Sequence, residues 1–164
     1  DSPVPKGVTA IKITDAEWQA CLSTPGYTVA NGALVAPAAP TSAQLLAQAQ
    51  AAQIASLSSA YRSAIVTPVS YTSKGGVTKT YQADPASQTL LMQATQGYGI
   101  AGATPTGFYW KSEDNTEVPF TLADLQGLYM AMLSQGWTAF QHLQSLKSQV
   151  SAATSISAVQ AITW

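Results

Sequence analysis

Two interleaved apolar series, each at a spacing of seven, run through the last third of this 164-residue chain. One reads Leu122, Tyr129, Gly136, Leu143 and Val150, the other Leu125, Met132, Ala139, Leu146 and Ala153. A strand period of two cannot produce them. They predict one long α-helix with an apolar seam over about four heptads. A helix of that length needs partners along all of it, which limits the fold more than any other feature. Leu128, Leu133, Trp137 and Phe140 widen the seam beyond two strands, so more than one neighbouring element is expected. Gly136 weakens the helix by about 1 kcal/mol relative to Ala and leaves room for a close crossing.

The starts of the helices are written in local chemistry. "TDAE" pairs Thr14 with Glu17 as a capping box, and "TSAQ" repeats it with Thr41 and Gln44. "DPAS" sets Asp84 as cap with Pro85 at the first helical position, where its missing N–H costs nothing. "TLAD" opens the long helix at Thr121, with Asp124 near the positive end of the helix dipole. "TSIS" offers Thr154 or Ser155 as cap of a last helix. In that helix Ile156, Val159 and Ile162 form one apolar stripe that, with Trp164, is expected to fold back onto the long helix near Leu143 and Leu146. About ten residues of such a helix would span ~15 Å. The Ala- and Gln-rich helix from Thr41 carries Ile54, Leu57, Tyr61, Ala64 and Ile65 in its later half, and Pro68 ends it.

Hairpins fill the intervals. "YTVANGALVAP" turns at Asn31-Gly32, a strong short hairpin signal. "VSYTSKGGVTKTY" turns at Gly75-Gly76, and "FYWKSEDNTEVPF" turns at Asp114-Asn115. "GYGIAGATPTG" reads as loop. The expected class is therefore α+β and predominantly helical, with two or three β-hairpins, an Ala/Gln-rich helix and a long C-terminal helix closed by a short one. The Pro/Ala segment at 36–40 suggests a hinge between a small module at 1–39 and a helical body at 40–164.

Charged residues make up only 9% of the chain, against roughly 25% in ordinary globular proteins. Gln, Ser and Thr must supply the polar surface, which suits broad amide- and hydroxyl-rich protein contacts. Seven dispersed basic residues and a net charge of -1 offer no basic stripe for nucleic acid. The apolar runs fall far short of the ~20 residues of a membrane span. The sequence opens "DSPVPKG" without Met, as expected of a trimmed chain or a piece of a longer one, and shows no signal peptide.

No constellation for catalysis assembles from these residues. His142 is the only histidine and Cys21 the only cysteine, so neither a His-pair metal site nor a disulfide can form within the chain. Glu113, Asp114 and Glu117 lack the alternation and central glycine of a calcium loop and read as a solvated hairpin tip. "TSKGGVT" lacks the spacing of a phosphate loop. The expectation is no enzyme, no cofactor, no metal and no small-molecule substrate. The surplus aromatic surface at Tyr109 and Trp110, and the thinly apolar start of the Thr41 helix around Gln48 and Gln50, are the expected partner-binding regions.

Two stretches resemble known families. "AIKITDAEWQACLSTPGYTVANGALVAPAAPTSAQLLAQAQ" is similar to a segment of bacteriophage tail-fibre assembly proteins, in which an acidic-aromatic helix start leads to a hairpin, a Pro-rich hinge and an Ala/Gln helix. "LQSLKSQVSAATSISAVQAITW" resembles the end of a phage tail-associated domain of unknown function, matched at Val150, Ala153, Thr154, Val159, Ile162 and Trp164. The resemblance implies a non-enzymatic chaperone or cap that binds the distal part of a trimeric receptor-binding tail fibre in the host cytoplasm during assembly. The alternative it allows is a structural component of the virion tail, either a fibre domain or a baseplate adaptor. It supplies no catalytic residues.

Overall fold

The computed structural model describes residues 6–7 and 10–164. Two compact units divide them, Asp1–Gln44 and Leu45–Trp164. No described residue of the first unit is buried. It holds α1 (Asp15–Ser23), whose capping box closes as expected between Thr14 and Glu17, and the hairpin of β1 (Thr28–Ala30) and β2 (Ala33–Val35). Asn31 and Gly32 turn that hairpin with φ of 51° and 76°, the left-handed pair that an Asn-Gly turn supplies cheaply. α2 (Ser42–Ala64) begins at the end of this unit with Thr41 and Gln44 bonded reciprocally.

In the second unit, β3 (Val69–Thr72) pairs with β4 (Thr78–Tyr81), and β5 (Tyr109–Lys111) pairs with β6 (Glu117–Pro119), both antiparallel. Between the hairpins runs α3 (Pro85–Ala101), capped by Asp84. This helix continues through Tyr98-Gly99-Ile100, correcting the reading of that stretch as loop. Two interior glycines weaken it. Packing compensates, because Tyr98 lies against the core with its ring 5.1 Å from Phe108. Gly102, at φ 80°, ends the helix in a left-handed cap.

α4 (Leu122–Ala152) is the long helix, opened by the Thr121–Asp124 capping box. Its seam serves two cores. The first joins Leu125, Leu128 and Met132 to Val69, Tyr81, Leu91, Val118 and Phe120. The second joins Leu143, Leu146 and Val150 to Leu57 of α2 and to Val159 of α5 (Ile156–Gln160). Ser155, not Thr154, caps α5, its Oγ accepting from the Ala158 amide at 3.2 Å. At five residues, α5 is half the length the apolar stripe suggests. The observed architecture is α+β and mostly helical, with three two-stranded antiparallel sheets among the described residues. No helix among them is long and apolar enough to cross a membrane.

Glutamine side chains join these elements. The Gln50 carboxamide donates to the carbonyls of Val150 (3.1 Å) and Ala153 (3.2 Å), at the end of α4. Gln53 donates to Ile162 at 2.5 Å. Gln135 reaches Ala64 and Thr67 at the end of α2, and Gln88 reaches Ile65 and Ala83. The last carbonyls of a helix have no partner inside it, so a neutral amide from a neighbouring helix satisfies them where many proteins use water or a cation.

Candidate functional site

Two surfaces of the second unit gather exposed apolar residues into depressions, while others, such as Ile100 and Val77, stand apart from both. One lies where α3 meets β5. Leu90, Gln82, Ser87, Tyr109, Trp110 and Lys111 line a shallow depression of about 280 Å³. Leu90 and Trp110 also line the adjoining one, of about 380 Å³, with Gln93, Ala94, Gly97, Tyr98 and Phe108. The register of the hairpin sets this arrangement. Strand residues alternate faces, so Tyr109 stands outward at 46% exposure while Trp110 turns toward the first core, 6.4 Å from Phe108. Leu90 is 57% exposed although its neighbour Leu91 is fully buried. The surface is thus an apolar floor with carboxamide, hydroxyl and one ammonium (Lys111) at its edges, the composition expected of a protein contact.

A hydrogen-bonded frame holds this hairpin. Asp114 at its tip accepts from Lys79 at 2.7 Å and from Ser112 at 2.5 Å, and the Glu113 amide donates to Thr80 of β4 at 2.8 Å. The Lys79 ammonium, with Ser112 and Thr116, holds the Asp114 carboxyl well below the usual carboxylate range. The tip is therefore tied to β4, where the sequence suggested only a solvated turn.

The second surface is a groove of about 630 Å³, lined by Tyr61 and Ile65 of the α2 end, Gln88 of α3, and Tyr129, Met132, Leu133, Gly136, Trp137 and Phe140 of α4. It shares no lining residue with the first surface. Leu133, Trp137 and Phe140 were expected to meet a second neighbour. Of the four widening residues only Leu128 is buried; the other three are 48%, 59% and 40% exposed. Trp137 and Phe140 stack on each other at 5.7 Å, with planes 22° apart. A Cβ at Gly136 would meet nothing within 4 Å, so no contact within the described chain calls for a glycine that weakens the helix.

The residues expected to bind a partner separate here. Tyr109 and Trp110 share the first surface. Gln48 is exposed on α2, away from both lining sets. Gln50 is half-buried and spends its amide on the end of α4. Of the residues expected to dock the last helix, Val159 is fully buried and Ile162 packs beside it, whereas Ile156 and Thr154 are exposed. Trp164 is 41% exposed, its indole edge-on to His142 of α4 at 4.8 Å and to Tyr61 of α2 at 6.5 Å. Leu90 and Gly97 escaped sequence reasoning, because nothing in α3 alone tells which side the hairpin covers.

Among the described residues no group of three or more His, Cys, Asp or Glu side chains is placed to hold a metal ion. Cys21 is half-buried on α1 and His142 is exposed. No curated protein and no solved structure matches the chain. Residues 48–163 match the family described as "Domain of unknown function (DUF4376)", a match over well more than half of the sequence, and the chain belongs to that family.

Proposed function

We propose that this protein is a non-enzymatic phage tail-fibre assembly protein, a chaperone or cap that engages the distal part of a trimeric receptor-binding fibre. Its two stretches of resemblance to tail-fibre assembly and tail-associated proteins supply the biological setting. The observation that carries a contact role is the surface at α3 and β5, where Leu90 and Tyr109 stand exposed around Trp110 on a hairpin braced by Asp114 and Lys79. Rigid aromatic side chains already fixed in place lose little entropy when a partner covers them. Contact with a fibre rests on apolar burial at Leu90 and Tyr109, with Lys111 and the Lys79–Asp114 pair at the edge, so added salt weakens it in part.

Co-expression of the chain with a tail-fibre protein encoded beside it, followed by capture of either partner, tests this reading. A stable complex is expected. Leu90→Glu or Tyr109→Ala should weaken it by more than tenfold, since truncating a central anchor commonly costs about 2 kcal/mol, while the melting temperature holds. Failure to bind, or equal binding by both variants, overturns it. Trp110 is a poorer test, because its indole also packs on the core.

A further inference from the structure

We propose that the chain self-associates through the exposed face of α4, the groove over Gly136 being filled by the same face of a second copy. Met130, Leu133, Trp137 and Phe140 follow one another at spacings of three, four and three, the period of a helix–helix seam. The seam of Leu125, Leu128 and Met132 faces the first core, and that of Leu143, Leu146 and Val150 the second. The stripe from Met130 to Phe140 belongs to neither core and stands exposed.

Three observations select a copy of the chain as the occupant. The first is area. Met130 at 62%, Leu133 at 48%, Trp137 at 59% and Phe140 at 40% exposure leave on the order of 400–500 Å² of apolar surface when applied to ordinary side-chain areas. Ser134, Thr138, Gln141 and the groove wall at Tyr61 bring the face toward the ~800 Å² per partner of a stable interface. The second is charge. From Leu125 to Leu146 the sequence contains no Asp, Glu, Lys or Arg, so two copies meet without like-charge repulsion, and a charged partner finds nothing to pair with. The third is shape. A two-fold interface needs one patch that both projects and receives, and here Trp137 and Phe140 stand beside the bare backbone of Gly136 on a single face.

The proposal does not depend on the fibre, because it concerns the purified chain alone. Sedimentation of the full chain between about 1 and 100 µM, the range of typical weak to moderate dimers, should show a concentration-dependent dimer. Trp137→Glu is expected to weaken association by more than about tenfold, with helical content and melting temperature retained. Gly136→Gln is the second variant: it fills open space, improves helix propensity, and should also give monomer. Leu90→Glu, on the other surface, should leave the dimer intact. A wild-type monomer at 100 µM, or dimers in both α4 variants, overturns the proposal. A monomer whose fibre capture is lost in Trp137→Glu would assign the face to a different protein, and equally overturns it.

Discussion

Asp124 shows how a carboxylate can be buried at little cost. It is 1% exposed, yet it accepts from the Thr121 amide and hydroxyl (2.8 and 2.6 Å) and from the Lys74 amide (2.6 Å). Burial works to raise its pKa, but those hydrogen bonds together hold it below the ordinary value. Its contribution to stability is therefore complete above about pH 4, the ordinary carboxylate range, and is lost as pH falls through the lower folded value. Asp124→Asn should cost about 1–3 kcal/mol at neutral pH, as loss of charge-assisted bonds to a buried group does, and should flatten the acid limb of a stability–pH curve measured by urea denaturation. Tyr81 presents the opposite case. It is fully buried among Tyr71 and Phe120, and its hydroxyl has no hydrogen-bond partner among the described residues. Tyr81→Phe is thus expected to be neutral or to stabilise by up to about 1 kcal/mol, read as an unchanged or raised Tm. Gly127 is constrained by contact: a Cβ there would overlap the phenol of Tyr71. Gly127→Ala should destabilise by about 1–3 kcal/mol despite its better helix propensity, and adding Tyr71→Phe should recover part of that loss.

The helices differ in how far their own sequences foretell them, and the reason is the range of the interactions involved. Caps are formed within four residues, so Thr14, Thr41, Asp84 and Thr121 were legible as helix starts before any fold was known. Asn31-Gly32 likewise fixes a turn locally. The end of α3 was not legible, because Tyr98 is held by Phe108, which lies beyond the helix. Nor could the seam of α4 reveal which of its flanks would stay uncovered, since that depends on where α2 and α3 come to rest. The glutamines escaped for the same reason: Gln50 reads as surface in sequence, but the end of α4 brings carbonyls within its reach. Gln50→Ala should therefore cost about 1–2 kcal/mol by removing the donor to the Ala153 carbonyl and one of the two to that of Val150. The check is hydrogen exchange at the α4–α5 junction, which should accelerate there before it does elsewhere.

Both cores draw their residues from the second unit, between Leu46 and Ile162. A chain lacking residues 1–39 should thus keep a cooperative thermal transition, and limited proteolysis should leave a stable fragment beginning near residue 40. Broad, non-cooperative melting of that fragment would show that the first unit is needed. Within the second unit α4 is common to both cores, and this sets an order of events during synthesis. The hairpins and α3 are made before α4, yet the first core lacks Leu125, Leu128 and Met132 until that helix appears. The second core waits longer still, for Val159. A nascent chain stalled before residue 122 would therefore leave Val69, Tyr81 and Leu91 without the α4 residues that complete their core, a state open to aggregation or to capture by cellular chaperones. Translation speed through the codons for α4 becomes a determinant of yield, and slow synthesis there lengthens the interval in which a half-made molecule stands open.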